Sequence, residues 1–294
     1  MPIHRHSPNA APPARLIVNA DDFGYFEGVD RGIIAAAERG AITATGVMTN
    51  GDGWPERAQA LRKFGRLDIG VHLNLTAGRP LTNAVPGLVD PATGAFFESK
   101  FHVARALVSR RVTAAQGSAE WDAQIARCRE AGLDPVFLNS HEHVHMFPPL
   151  FAIIHELARK HGIAWVRRSE PEWRAPRRAA DWAREIVLQL LSWTNRRVPA
   201  PRLLGVSRSG RLDFAYLQSR LASLRPGRVY ELMCHPGMIV AGEKIPARLR
   251  AYHDWTGELD ALCLAQSRGL FQTPGVELIG FRDLAAAGAM PAHS

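Results

Sequence analysis

The chain has 294 residues, 46% of them hydrophobic and 22% charged, which is an ordinary composition for a globular protein with a large core. It contains no run of 18 apolar residues, so we expect no membrane-spanning helix. The formal net charge of +8 is compatible with a nucleic-acid partner. No zinc-finger, RNP-type or heptad basic motif accompanies the charge, so we expect no nucleic-acid partner.

The arginine excess is concentrated in three clusters, VSRRV, VRRSEPEWRAPRR and TNRRVPAPR. We interpret these clusters as surface solvation, although peripheral contact with an anionic membrane stays open. The three cysteines form no C-x-x-C pair, which argues against a disulfide framework and fits a cytoplasmic location.

The first 14 residues are rich in proline and polar residues and have no apolar segment. They predict a disordered tail rather than a secretory signal. We expect residues 15–294 to form one domain, because α/β barrels commonly reach this size as a single unit.

Strand-like and helix-like segments alternate after the tail. Strands are predicted at 15–20, 41–49, 68–76, 136–140, 163–168, 228–235 and 276–281. Helices are predicted at 27–40, 55–65, 99–111, 118–131, 149–161, 212–224 and 257–269, with one more in the middle of the less regular section 169–212. Such repeated βα units predict an α/β fold with a mostly parallel sheet that is buried on both faces.

The stretch from His141 to His145 matches H-E-x-x-H, which is a zinc-protease signature when it lies on a helix. An α-helix is not expected here, because a short β-prone run precedes the stretch and two prolines follow it closely. We place the histidines at a strand end and in the turn after it, with Glu142 pointing away from any metal. In an extended chain His141, His143 and His145 would share one side. A protease is therefore not expected.

Four predicted strands each carry an acid or a histidine at or near the C-terminal end. Asp21 and Asp22 follow the first of these strands, His72 lies near the end of the second, and His141 and His235 follow the other two. Active sites of α/β barrels are built at this end of the strands. Two imidazoles and a carboxylate suit a catalytic divalent metal that keeps positions open for water and substrate.

Adjacent aspartates cannot point the same way from one extended strand. At a strand end the chain turns, so one carboxylate can bind a metal while the other takes a proton from water. Gly24 and Gly28 predict a tight turn with a close backbone approach. The alternative for the pair is an acid cluster at a helix start. Cys234 beside His235 is interpreted as a buried small residue and not as a Cys–His dyad, because neighbours on a strand face opposite sides.

The motifs LIVNADDFG, GVHLNLTAGRPL, SHEHVHMFP and ELMCHPG occur in this order. Together they resemble the YdjC/ChbG family of carbohydrate deacetylases, over roughly Arg15 to Asp283. The resemblance implies a distorted (β/α) barrel, one divalent metal ion and hydrolysis of the acetamide on an N-acetylated sugar. Chitooligosaccharides are the best-known substrates of the family. A related branch, associated with hopanoid biosynthesis, would act on a glucosamine-bearing glycolipid.

The resemblance also implies roles for individual residues. It assigns metal ligands at Asp22, His72 and His141, a general base at Asp21 and a candidate acid at His235. The metal would be Mg²⁺ or Zn²⁺. The family usually shows D-S-H-H-H-V-H-M where this chain has N-S-H-E-H-V-H-M. Of the two substituted positions, Asn139 alters the charge behind the ligands, which can tune a metal.

Two alternatives stay open at this point. A metal-dependent phosphoesterase or other amidohydrolase on a similar barrel would bind two or three metals, and His143 and His145 could supply the further ligands. A non-catalytic sugar- or lipid-binding barrel would not need both aspartates and the ligand histidines. The sequence leaves open the exact substrate, the native metal and the oligomer, a homodimer included. We expect the segment 169–212 to shape the substrate pocket.

Overall fold

The computed structural model describes residues 11–172, 179–195 and 199–286. Its strands are β1 (Ala14–Phe23), β2 (Ala44–Val47), β3 (Asp68–Leu73), β4 (Pro135–Ser140), β5 (Trp165–Val166), β6 (Arg202–Leu204), β7 (Val229–Cys234) and β8 (Val276–Leu278). Its helices are α1 (Glu27–Glu38), α2 (Glu56–Gln59), α3 (Lys100–Val108), α4 (Ala114–Glu130), α5 (Pro148–Lys160), α6 (Ala179–Thr194), α7 (Phe214–Leu221), α8 (Ala247–Tyr252), α9 (Trp255–Ser267) and α10 (Phe281–Ala286). In the described part of the chain, none of these helices could cross a membrane.

All strand pairs are parallel, in the order β5-β4-β3-β2-β1-β7-β6, and β8 pairs with the first residues of β1. Among the described residues no pairing joins β5 to β6, so the curled sheet is a half-barrel that is open on one side. This architecture confirms the predicted class, a single-domain, distorted α/β barrel with parallel strands.

Both faces of β1 are buried, as expected for a central parallel strand. Leu16 and Val18 face the outer layer of helices, whereas Ile17 belongs to a smaller cluster inside the barrel. Phe281 of α10 joins this inner cluster and stacks on Phe137 of β4, with ring centroids 4.2 Å apart. The short helix α10, which the sequence did not predict, therefore fills the barrel interior below the strand ends that carry the polar residues.

The long, apolar elements lie close to their predicted positions, and the short ones differ. The predicted helix 55–65 is helical only over Glu56–Gln59, and turns follow it. The predicted strands 163–168 and 276–281 shorten to two and three residues. β6 and α8 were not predicted. Of the predicted tail, residues 1–10 lie outside the described residues, as do 173–178 and 196–198 of the irregular section, so the tail stays a prediction.

Candidate metal centre

A β-bulge near the end of β1 positions the two aspartates. The pairing of β1 with β2 shifts between Ala20 and Phe23, and Asp22 has a φ of +75°, a left-handed conformation that is uncommon for residues other than glycine. We had expected Asp21 and Asp22 to follow the strand, but both residues are part of it. The predicted divergence of their side chains comes from this bulge, and both carboxylates are buried.

The turn after the bulge depends on glycine. Gly24 has a φ of +96°, and a Cβ atom there would lie 2.6 Å from the carbonyl oxygen of Met48. At Gly28 a Cβ atom would lie 2.2 Å from the carbonyl oxygen of Met238. The predicted tight turn and close backbone approach are therefore both present, and they bring the loop after β7 against the start of α1.

Asp22, His72 and His141 meet at the C-terminal end of the sheet. Asp22 Oδ1 lies 3.1 Å from His72 Nε2 and 2.9 Å from His141 Nδ1, and one donor atom from each residue lies within 4.8 Å of the others. Two donors bound to one ion at about 2.1 Å and at right angles are about 3.0 Å apart. The three side chains therefore form a group that could hold a single divalent ion.

The orientation of His72 is fixed by Asn139. An ionised carboxylate only accepts hydrogen bonds, so the amide nitrogen of Asn139 must face Asp21 Oδ1, at 2.8 Å. The amide oxygen of Asn139 then accepts from His72 Nδ1, also at 2.8 Å. His72 Nε2 consequently carries the lone pair and faces Asp22, which is the tautomer that a metal ligand needs.

Arg167 holds the Asp21 carboxylate inside the barrel. Its Nη1 lies 2.5 Å from Asp21 Oδ2 and its Nη2 lies 3.1 Å from Asp21 Oδ1. Burial alone would raise the pKa of Asp21, but the Arg167 guanidinium outweighs it and lowers the pKa to about 2. Oδ1 accepts two further bonds, from Asn19 and Asn139, whereas Oδ2 keeps a lone pair for another donor. Asp21 is thus an ionised carboxylate that, among the described residues, keeps one unused acceptor site.

The same arginine neutralises a second buried acid, Glu231 of β7. Arg167 Nε and Nη2 donate to Glu231 Oε1 at 2.9 and 2.5 Å. Our interpretation of the VRRSEPEWRAPRR cluster as surface solvation was wrong for Arg167, which is only 2% exposed. The available signal was its position at the end of a predicted strand, the same signal that identified the aspartates and the histidines.

Burial and charge shift the pKa values of Asp22 and His141 in opposite directions. Burial would lower the pKa of His141, but the Asp22 carboxylate outweighs it and raises the pKa. Burial would likewise raise the pKa of Asp22, and the adjacent His141 ring instead holds it well below its usual value. The Asp22 carboxylate is therefore ionised and ready to bind a cation.

The structure places His235 at the mouth of the same barrel, but in no hydrogen bond with the ligand set. Its backbone N–H donates to Glu258 Oε2 at 2.5 Å, and within the described residues its Nδ1 has no hydrogen-bond partner. Its ring lies 5.3 Å from that of His253, which stacks on Trp255. His253 was not among the predicted site residues. Burial first, and then the charge of His235, lower the pKa of His253 to about 3.

Cys234, which precedes His235, is a buried small residue, as predicted. Cys234 is fully buried, and its thiol lies 3.4 Å from the carbonyl oxygen of Asn19. Burial raises the pKa of this thiol well above its usual value. Cys234 is therefore a core residue and not a nucleophile.

The stretch that resembles a protease signature forms no α-helix, as predicted. Residues His141–Met146 form a 3₁₀ turn that is interrupted by left-handed conformations at Glu142 (φ 52°) and His143 (φ 57°). Glu142 Oε2 accepts from the backbone N–H of Lys100 at 3.0 Å and does not contact the three ligands. The H-E-x-x-H stretch thus matches the protease signature in sequence but not in structure.

The other two histidines of the turn point elsewhere. His145 Nε2 donates to the carbonyl oxygen of Arg167 at 2.9 Å, and its Nδ1 accepts from the Ser140 hydroxyl at 2.6 Å. His143 Nδ1 is 2.8 Å from Ser169 Oγ. The expectation that these histidines share a side with His141 was wrong, because the left-handed residues reverse the chain. In the described residues no second group of three ligands lies near them.

The chain is similar to known proteins over most of its length. The model of the YdjC-like protein family matches residues 15–273. A chitooligosaccharide deacetylase of Klebsiella pneumoniae is 30% identical over 278 residues, which cover 92% of this chain and 98% of the relative. A carbohydrate deacetylase of Halalkalibacterium halodurans is 36% identical over 149 residues, which are 51% of this chain and 62% of the relative.

A solved structure gives the same result for the whole fold. A protein from Enterococcus faecalis, named for cellobiose-phosphate cleavage, superposes with a TM-score of 0.69 at 26% identity. The superposition covers 92% of this chain and 99% of that protein. The family suggested by the four motifs is thereby confirmed, and the chain belongs to the YdjC-like protein family.

Proposed function

We propose that the chain is a metal-dependent deacetylase that removes the N-acetyl group from an amino sugar. The observation that carries this proposal is the convergence of Asp22, His72 and His141 beside an ionised carboxylate, Asp21. The Klebsiella pneumoniae relative named chitooligosaccharide deacetylase supports the reaction class over nearly the whole chain.

The ligand set defines what an ion does at this site. Asp22 and His72 offer Oδ1 and Nε2, and His141 offers a ring nitrogen. A divalent ion held there would polarise the acetyl carbonyl and lower the pKa of a water molecule. One carboxylate with two imidazoles suits Zn²⁺, and Mg²⁺ is the alternative if more of its ligands are waters.

The remaining chemistry belongs to side chains of the chain itself. Asp21 takes a proton from the attacking water, through the acceptor site that is left on Oδ2. The water oxygen bonds to the acetyl carbon, and the carbon–nitrogen bond then breaks. His235 donates a proton to the departing nitrogen, so that acetate and a free amino sugar are released.

The substrate is the least constrained part of the proposal. We propose an N-acetylated amino sugar, either chitooligosaccharide-like or glucosamine linked to a lipid. Half-buried Tyr25 lies edge-on to His141, with ring centroids 5.2 Å apart, and stacked His253 and Trp255 lie beside His235. Aromatic walls with a few convergent polar groups are typical of small-molecule sites.

The test is acetate release from a panel of N-acetylated sugars, chitooligosaccharides and N-acetylglucosamine glycolipids. We expect release with Zn²⁺ or Mg²⁺, its loss with a chelator and its recovery when metal is added back. Full activity in chelator would contradict the metal dependence. If no substrate of the panel releases acetate while metal binds with normal affinity, the deacetylase proposal is wrong and a binding role gains support.

A further inference from the structure

A polar cavity lies away from the candidate metal centre. It has a volume of about 440 Å³, and four arginines line it together with Glu170 and Tyr230. The arginines are Arg168, Arg202, Arg225 and Arg228. Arg202 begins β6, and Arg225 and Arg228 precede β7, so the cavity lies near the N-terminal ends of these strands. Arg168 and Glu170 come from the segment that leaves β5, on the open side of the barrel.

Within the part of the chain that the structure describes, the positive charge of this cavity is only partly paired. Arg168 Nε donates to Glu170 Oε1 at 2.8 Å. Among the residues that the structure describes, Arg202, Arg225 and Arg228 have no acidic partner. Four arginines and one glutamate leave a net charge of +3 around a single concave space.

Other arginines of the chain contrast with this set. Arg57 pairs with Asp30, Arg220 with Glu172, and Arg282 with Asp68.

The cavity also accounts for part of the basic sequence clusters. Arg168 belongs to VRRSEPEWRAPRR and Arg202 to TNRRVPAPR, which are separate in sequence and were both interpreted as solvated surface. Folding brings one member of each cluster to the same cavity and adds Arg225 and Arg228 from a third segment. Independent solvation of each cluster does not require this convergence.

We propose that this cavity binds a phosphate monoester group. Guanidinium groups bind phosphate oxygens through paired hydrogen bonds, and concave walls concentrate their field. Tyr230 is buried, and its hydroxyl oxygen accepts from the backbone N–H of Arg225 at 3.1 Å; among the described residues no acceptor takes its own O–H, which can donate to a ligand. Arg202 is paired in register with Tyr230, so both side chains lie on the same face of the sheet. A dianion offsets the surplus charge better than a carboxylate does.

Calorimetric titration of the full chain with inorganic phosphate tests the site. We expect saturable binding of one phosphate per chain, and a roughly tenfold or greater loss of affinity in Arg202→Gln/Arg228→Gln. The matched control is Arg66→Gln/Arg111→Gln, which removes the same charge from exposed positions outside the cavity and should change affinity less than about twofold. Asp22→Asn should bind as the unaltered chain does, because the phosphate does not occupy the metal centre.

A second arm identifies the source of the phosphate group. Sedimentation with phosphatidylcholine vesicles, with and without phosphatidic acid, measures binding to a lipid headgroup. Binding of phosphate alone indicates a free phosphorylated ligand, and cavity-dependent binding to phosphatidic acid indicates a headgroup. If the double variant does not fold, Arg225→Gln alone should still weaken binding several-fold.

The proposal is overturned if neither probe binds saturably, or if the cavity and control variants lose affinity equally. It is also overturned if Asp22→Asn abolishes phosphate binding, because the phosphate would then occupy the metal centre. None of these results depends on deacetylase activity.

Discussion

Arg167 and Arg168 are adjacent in sequence and lie in opposite environments. Arg167 is buried inside the barrel and hydrogen bonds to two carboxylates, Asp21 and Glu231. Arg168 is partly exposed, pairs with Glu170 and lines a cavity rich in arginine. The same residue type is thus a buried counter-ion at position 167 and part of the arginine-rich lining of a cavity at position 168.

The difference shows which charges the fold depends on. A buried ion loses its hydration and must be paired, whereas an exposed ion keeps its hydration and needs no partner. Inside the barrel Asp21 and Glu231 share Arg167, and the neutral amide of Asn139 connects Asp21 to His72. Substitutions in this network should therefore affect both stability and the site, whereas those in the cavity should affect binding alone.

The largest effect is expected for the two neighbouring aspartates. Asp21→Asn should keep the metal and lower turnover by about 10²–10⁴-fold, because an amide cannot take a proton from water. Asp22→Asn should lose metal affinity, since a neutral amide is a poorer ligand for a divalent ion. Metal content per chain, measured beside acetate release, distinguishes the roles. If Asp21→Asn is the variant that purifies without metal, the roles are reversed. Full activity in both would leave the aspartates with a structural role.

A matched pair of variants tests the contrast between the arginines directly. Arg167→Met should destabilise the fold by about 3–5 kcal/mol, because it leaves two buried carboxylates without their cation. Arg168→Met removes a partly exposed ion pair and should cost about 0–1 kcal/mol. Urea unfolding at neutral pH measures both. Equal costs would mean that the buried network contributes no more than a surface pair.

The sequence was sufficient to predict which strand ends and side chains lie together at the candidate metal centre. Apolar runs followed by an acid or a histidine recur at strand ends, and parallel strands bring those ends to one edge of the sheet. The same argument did not assign Arg167. Arg167 and Arg168 are the same residue type, and only the side of the short strand β5 towards which each points distinguishes them. Glu231 lies 64 positions from Arg167, so no local pattern connects the two.

Short elements and unusual backbone conformations also escaped prediction. The bulge at Asp22 depends on a positive φ that the amino-acid type permits but does not require. β6 has three residues, too few for a period-two pattern to be recognised. The left-handed turn at Glu142 and His143 reversed the expected directions of the histidines. In each case tertiary contacts, and not local propensity, decide the conformation.

A smaller effect is expected where the buried network meets a metal ligand. Asn139→Ala removes the acceptor that orients His72, and loss of such a partner typically lowers metal affinity about 10–100-fold. Asn139→Asp keeps an acceptor for His72 Nδ1 and removes the donor to Asp21, so it should retain metal better than the alanine variant. Competition with a metal-binding dye measures both affinities. Unchanged affinity in Asn139→Ala would show that the orientation of His72 does not depend on this amide.

The smallest effect is a pH dependence caused by His145. Burial lowers the pKa of this ring to about 3, against a usual value of 6.5, so the folded chain keeps it neutral where the unfolded chain protonates it. The stability from this residue is complete above about pH 6.5 and is lost progressively as the pH falls towards 3. Between about pH 7 and about pH 5 it should amount to about 2 kcal/mol. Urea unfolding measures this effect. Between these two pH values the free energy of unfolding of the unaltered chain should fall by about 2 kcal/mol more than that of His145→Gln. Parallel slopes would show that His145 titrates alike in the folded and unfolded chains, and that its bonds to Ser140 and Arg167 do not hold it neutral.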